Sequence, residues 1–426
     1  MPSSVAMTER FAALIGIDWG DRKHSVCLLP VGYEARERFE LEHRPIAIHG
    51  WAASLRKRFG GRPVAVCLET NNGPLVSALL EHDIFVVFPV NPLALARYRK
   101  AFAVSGAKDD PSDAELALDF LHRHPDRLSE LCRDSVDMRT LRRLVQTRRQ
   151  LVDDRTRITN RMTHQLKAYF PQALSWFRDK DTEVFAAFLE RFPTLQAAQR
   201  AKRTTLETFF RRHNVRYETT IQRRIEAIAA EQPLTSDPAA IEPASLHVQI
   251  LIPQLRALSA AVARFDKEIA TLCSRLPDFS LFQDLPGAGP VYSSRLLVAF
   301  GEQRDRFSGA DSIQKFAGIA PVTERSGNST WVHWRYVASK FLRQTFVEWS
   351  GETVTQSSWA RAFYHHHRAH GADHQATLRA LAFKWIRILY RCWMDRRPYD
   401  EARYLRALQR RGSTLLGDAP QNEVST

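Results

Sequence analysis

The chain has 426 residues, enough for two or three domains with full cores. Its 44% hydrophobic and 25% charged residues exclude a disordered or fibrous protein, while a formal charge of +14, carried more by Arg than by Lys, favours a polyanionic partner. Five scattered cysteines (Cys27, Cys67, Cys132, Cys273, Cys392) with no CxxC spacing argue against a disulfide framework or a zinc site.

Residues 1–10 read as a loose leader, and the apolar run over 11–17 is too short for a membrane span and lacks signal-peptide flanks. The expectation is a cytoplasmic protein with no membrane partner. Residues 14–29, LIGIDWGDRKHSVCLL, read as a β-hairpin with Asp18 at the end of its first strand. Two readings of Asp18 are open: a turn-opening aspartate, or an acid holding a metal at the rim of a sheet. A third strand is expected over 36–42, a helix over 45–59, and a buried central strand over 63–69, PVAVCLE, which ends in Glu69. A helix over 74–82, a strand over 84–90 and a helix over 92–102 follow. Three strands, then helix, strand, helix, strand, helix is the order a ribonuclease-H-like mixed sheet requires. In 108–118, KDDPSDAELAL, Pro111 suits the first helical position with Asp110 as N-cap. Asp110 and Asp113, three apart, face one side of the helix start, either as a capping arrangement or as a pair of ligands.

From 133 to 167 ten basic residues stand against four acids, with an apolar stripe at helical spacing. A long helix is expected whose basic face (Arg142, Arg143, Arg148, Arg149) is either solvated or in contact with a nucleic-acid backbone. Residues 170–245 read as helical and polar, with few landmarks. Val248, Leu251, Leu255, Leu258, Val262, Phe265, Ile269, Leu272 and Leu276 recur at spacings of three and four, the seam of a coiled coil or a long antiparallel pair, which Pro253 kinks or starts. Residues 285–300, LPGAGPVYSSRLLVAF, resemble a helix-hairpin-helix turn in which Gly287 and Gly289 give a phosphate site or a plain Gly-Pro turn. Residues 317–334 are turn-rich and carry Arg325, Ser326 and Ser329; nothing local marks either serine as a nucleophile. The rest, to residue 399, is helical with aromatics at core spacing, and its histidine cluster, His370 and His374 included, lacks an HEXXH motif. Residues 411–426 read as a disordered tail.

Asp18, Glu69, Asp110 and Asp113 form a D-E-D-D set in which each acid closes or opens an element of the expected sheet. Such a cluster repels itself unless divalent cations sit in it, and two Mg²⁺ ions there suit phosphodiester cleavage. With GIDWGDRKHSV, Glu69-Thr70, VNPLALARYRKAF, KDDPSDA, LPGAGP, FAGIAPVTERSG and the block HQATLRALA from His374, the sequence resembles the DEDD transposases of the IS110 insertion-sequence family over nearly its whole length. The resemblance implies a RuvC-like nuclease domain (1–132), a helical or coiled-coil linker (133–276), a mainly helical C-terminal transposase domain (277–410) and the tail. It further implies Mg²⁺ (Mn²⁺ as the alternative) on the four acids, and Ser326 as a nucleophile joining covalently to DNA. The implied partners are double-stranded donor and target DNA, a non-coding guide RNA, and further copies of the chain as a dimer and, on DNA, a tetramer. The family's usual Lys-Thr-Asp is Lys108-Asp109-Asp110 here, which makes Asp109 a competing ligand, and the surroundings of Ser326 leave Ser329 open. The main alternative is a metal-dependent, structure-selective DNA nuclease of the junction-resolvase kind. A sugar-kinase or actin-like fold shares the opening G-I-D-x-G but needs Gly-rich phosphate loops that 18 glycines do not supply, and a non-catalytic DNA binder leaves the four acids unexplained.

Overall fold

The structure, a computed structural model, describes residues 4–70, 73–102, 110–131, 134–327, 329–335 and 338–412. The chain divides into two compact units, Met1–Arg133 and Asp134–Thr426.

The first unit opens with a short helix, α1 (Ser4–Arg10), and continues through β1 (Ala13–Asp18), β2 (Lys23–Pro30), β3 (Glu37–Glu42), α2 (Pro45–Arg58), β4 (Val64–Leu68), α3 (Pro74–Leu79), β5 (Phe85–Pro89), α4 (Pro92–Phe102) and α5 (Asp110–Arg123). The sheet has the order β3-β2-β1-β4-β5; β1, β2 and β3 pair antiparallel, and β1, β4 and β5 pair parallel. This is the ribonuclease-H-like mixed sheet expected from the order of the elements. β4, VAVCL, is buried on both faces, as its unbroken apolar run requires. One face, with Ile15, Ile17, Val64, Val66 and Leu68, packs on α2 and α3; the other, with Leu14, Ala65 and Cys67, packs on Ala114, Ala117, Leu118 and Leu121 of α5. Helix α5 begins at Asp110 itself, one residue earlier than N-capping by Asp110 predicts.

The second unit is built on two long helices, α6 (Val136–Tyr169) and α12 (Pro238–Cys273). They run antiparallel. Met138, Leu141 and Val145 share a core with Ile269 and Cys273, whereas Ile158, Met162 and Leu166 share one with Val248, Leu251 and Leu255. Arg148 and Asp266 form an ion pair midway. The seam is therefore an antiparallel pair, the second of the two arrangements its spacing allows. Pro253 lies inside α12 and does not start it. By length and composition α12 could also cross a membrane, with a mean hydropathy of 1.3 over its most apolar stretch, but its apolar seam packs on α6.

Five short helices, α7 (Gln172–Trp176), α8 (Glu183–Arg191), α9 (Leu195–Gln199), α10 (Arg203–Arg212) and α11 (Glu218–Ala230), close around one end of the pair. The sequence reads this stretch as polar, yet Phe170, Phe177, Phe185, Phe188, Phe192, Phe209 and Phe210 form a core there with their rings in mutual contact. The other end shares a core with α13 (Ser280–Gln283), α14 (Gly289–Phe300), α15 (Ala310–Phe316), α16 (Lys340–Gln356), α17 (Ser358–Ala369), α18 (His374–Asp395) and α19 (Glu401–Arg410), and a largely exposed hairpin of β6 (Val322–Ser326) and β7 (Ser329–His333) lies in the chain between α15 and α16. Trp349, Trp359, Trp385 and Trp393 are wholly buried in this core. Each indole N–H still finds an acceptor: the Pro286 carbonyl, the Tyr399 hydroxyl, Thr353 Oγ1 and the Gly301 carbonyl respectively.

Candidate active site

Residues Asp18 and Glu69 come together through the sheet. β1 and β4 are adjacent and parallel, with Ile17 opposite Leu68, so Asp18 and the residue after Leu68 leave neighbouring strands at the same carboxyl edge. Strands so paired stand about 4.8 Å apart. Alternation along β1 sends Asp18 to the same face as Gly16, the face covered by α5; Glu69 continues the alternation of Cys67, on that same face. Glu69 is exposed and Asp18 half-buried.

The third acid arrives through an unusually close contact of helix and strand. A Cβ on Gly16 would stand 2.1 Å from the Ala114 carbonyl oxygen and 2.5 Å from the Leu118 amide nitrogen. Only glycine lets α5 lie this near to β1. Asp113, immediately before Ala114, is thereby brought to the strand edge and buried, 5% exposed. A buried carboxylate needs a counter-charge, and Arg99 of α4 supplies it in an ion pair with Asp113. The side chain of Asp110, and Asp109 altogether, lie outside the described residues. Gly16 carries a signal in the sequence, a glycine in the middle of an apolar strand; Arg99 carries none.

The donor set is all carboxylate oxygen, the hard-ligand chemistry that suits Mg²⁺ or Mn²⁺; two of its members leave one face of one sheet edge, and Asp113 lies on the helix that covers that face. As they stand, no three acidic, imidazole or thiol side chains among the described residues are gathered closely enough to hold an ion. The residues fit a divalent metal in kind and in backbone placement.

The candidate serines lie in the second unit. Ser326 ends β6 and Ser329 begins β7, and the two are directly paired, with Gly327 in the turn that follows Ser326. Gly327 takes a left-handed φ of 56°, as a tight hairpin turn requires. Ser326 and Ser329, directly opposite, share one face of the ribbon and are both exposed, while Arg325, also exposed, alternates to the other. The turn-rich sequence is thus a two-stranded ribbon presenting both hydroxyls at its tip.

Other expected contact residues have intramolecular partners. Arg142 pairs with Asp134 at 2.5 Å, Arg148 with Asp266, and Arg149 with Asp153 and Glu348 at 3.2 and 3.3 Å, while Arg143 is exposed. Gly287, with φ 68°, lies against the backbone of α16, where an added Cβ would meet Glu352 at 2.8 Å, and its N–H donates to Gln356 Oε1 at 3.2 Å. That amide holds two helices together; Gly289, at φ 49°, is open to solvent. His374 bonds to the Tyr364 hydroxyl at 2.8 Å and His370 to the His366 carbonyl at 2.7 Å, so the two histidines take separate partners.

Residues 15–171 match a family described as a transposase, the DEDD transposases of IS110, and residues 279–365 match the "Transposase IS116/IS110/IS902 family". The chain is 28% identical over 396 residues to the mini-circle putative transposase for IS117 of Streptomyces coelicolor, covering 91% of this chain and 95% of that protein. It is 31% identical over 214 residues to the putative transposase y4uE of Sinorhizobium fredii, covering 49% and 59% of the two chains. An IS116 protein of Streptomyces clavuligerus is 26% identical over 330 residues, 77% of this chain and 81% of its own. A ribonuclease-H-like sheet with acids at its carboxyl edge and a helical second unit, matched in order by both halves of one transposase family, leads to a single assignment: the chain belongs to the IS110 family of transposases, enzymes that recombine DNA.

Proposed function

We propose that this transposase cuts and rejoins donor and target DNA strands with a DEDD site and a serine nucleophile, directed by a non-coding guide RNA. The observation that carries the reading is the placement of Asp18 and Glu69 at one carboxyl edge of the sheet, with Asp113 on the helix that Gly16 lets lie against the same face. Asp18, Glu69, Asp110 and Asp113 are the residues that would hold two Mg²⁺ ions, with Mn²⁺ as the alternative. Bound there, the ions supply Lewis-acid polarisation of the scissile phosphate. Ser326, with Ser329 as the alternative on the same face, attacks phosphorus through Oγ and gives up its proton. The Oγ–P bond forms as the bond from phosphorus to the departing deoxyribose oxygen breaks, and that oxygen leaves as a free hydroxyl. The ester keeps the energy of the phosphodiester, so a strand hydroxyl can later displace the serine and reseal DNA. Arg143 and Arg325, both exposed, suit backbone phosphates. Guide pairing would choose sequence while the protein reads backbone and shape. In this reading the enzyme works in the cytoplasm on the nucleoid, as a dimer that pairs into a tetramer on DNA.

The test is a covalent protein–DNA adduct on a denaturing gel, formed from purified protein, flanking transcript, donor and target DNA and Mg²⁺. An RNA-dependent adduct lost in both Asp18→Ala and Ser326→Ala is the expected result, with Ser329→Ala deciding between the two hydroxyls. Cleavage without an adduct, surviving both serine substitutions but not Asp18→Ala, would make the protein a plain metal-dependent nuclease.

A further inference from the structure

The turn that leaves Asp18 is held by one imidazole, which a second imidazole backs. His24, on β2, is wholly buried, and its Nδ1 accepts a hydrogen bond from the Gly20 N–H at 3.3 Å. Because Nδ1 accepts, the proton of the neutral ring sits on Nε2, which faces Nδ1 of His43 at 2.9 Å. Burial, and His43 after it, push the His24 pKa down to about 4, so the accepting form is the one present near neutrality. From the other side, the His43 backbone N–H donates to the Arg22 carbonyl at 2.8 Å. The turn has no slack: a Cβ on Gly20 would stand 2.2 Å from the Lys23 carbonyl oxygen. Asp18 itself pairs across the hairpin with Ser25, the neighbour of His24. A leucine would fill this apolar position without the cost of desolvating a polar ring; a histidine with both nitrogens engaged fixes the backbone two residues beyond the acid.

We propose that His24 is a positioning residue for Asp18: by holding the Gly20 amide it sets the direction in which the Asp18 carboxylate leaves the sheet edge, and so the affinity of the acid set for a divalent cation. The proposal rests on the DEDD reading above. The experiment titrates Mn²⁺ into the full-length protein and follows the loss of the free-ion paramagnetic resonance signal, with thermal melts alongside. The variants are His24→Leu, His24→Asn, His43→Leu and Asp18→Asn. The loss of a supporting partner typically weakens metal sites about 10–100-fold, and His24→Leu is expected at the lower end of that range. His24→Asn, whose Oδ1 takes the place of Nδ1 as acceptor, should recover most of the affinity, a rescue that simple core filling would not produce. If His24→Leu binds Mn²⁺ like the wild type while Asp18→Asn is weakened, the proposal is overturned and the DEDD reading stands. If Asp18→Asn itself binds like the wild type, the metal reading falls and the proposal with it. Should both His24 variants fail to melt cooperatively, half-exposed His43 decides: His43→Leu must weaken Mn²⁺ binding, and wild-type affinity would overturn the proposal.

Discussion

Two side chains beside the candidate site make opposite demands on their charge. Asp113 is buried and ion-paired with Arg99, whose own side chain is only 18% exposed. Removing one member of such a pair strands the other, at a cost of about 3–5 kcal/mol in well-buried cases. Arg99→Gln is therefore expected to cost about 3 kcal/mol, read as a fall in the denaturant midpoint. Because a divalent cation would replace the missing charge, Mg²⁺ should restore much of that loss in Arg99→Gln and stabilise the wild type less. Equal Mg²⁺ effects on both proteins would separate Arg99 from the metal site. His24 is the reverse case, a ring kept neutral. Its pKa is about 4 in the folded chain against an ordinary value of 6.5. Between those values the unfolded chain binds the proton and the folded chain does not, so stability is complete above about pH 6.5 and falls as the pH drops toward 4. Carboxylates titrate in the same window, so the informative quantity is a difference: the acid-side slope of the melting temperature should be shallower for His24→Asn than for the wild type.

At the scale of elements, the site depends on how closely α5 lies on β1. Gly16→Ala is expected to push the helix off the strand and take Asp113 with it. Overpacking of this kind costs about 1–3 kcal/mol, and the melt should show it together with a loss of strand cleavage larger than stability alone explains. A Gly16→Ala protein with wild-type cleavage would mean that α5 need not sit where it does. Much of this unit was legible in the sequence because strand periodicity and burial agree: β4 reads as a continuous apolar run, β1 as a run ending in an acid, and α3 and α4 each begin at proline. The phenylalanine core of α7–α11 was not, because its rings are spread over short helices separated by Arg- and Gln-rich stretches, and no single window shows a stripe. Of the two readings of Pro253, a kink or a start, the start is excluded because the residue lies inside α12. Its fixed φ is compatible with a helix, and packing of α12 on α6 carries the helix through the missing hydrogen bond. The pairing of Arg142, Arg148 and Arg149 with acids as distant in sequence as Glu348 is equally invisible to a local count of charge.

For the whole molecule, the two halves of the proposed chemistry reside in different compact units: the acids in Met1–Arg133, the serines in Asp134–Thr426. A strand-joining enzyme must bring two DNA duplexes together, and a symmetric dimer does so most economically if each site takes its acids from one subunit and its serine from the other. This makes a prediction that separates such an arrangement from one in which each subunit is self-sufficient. Asp18→Ala and Ser326→Ala proteins are each expected to be inactive in adduct formation. When they are mixed and allowed to exchange subunits, a heterodimer with shared sites contains one site with intact acids and an intact serine and one with neither. At equal concentrations about one site in four in the population is then restored. A heterodimer with self-sufficient subunits has a defect in every site and restores none. The adduct should appear only on the Asp18→Ala polypeptide, which retains the serine, and a size tag on either chain identifies it on the gel. Label on neither chain would place acids and serine within one subunit; label on the Ser326→Ala chain would move the nucleophile elsewhere, with Ser329, across the ribbon on the same face, the next to test.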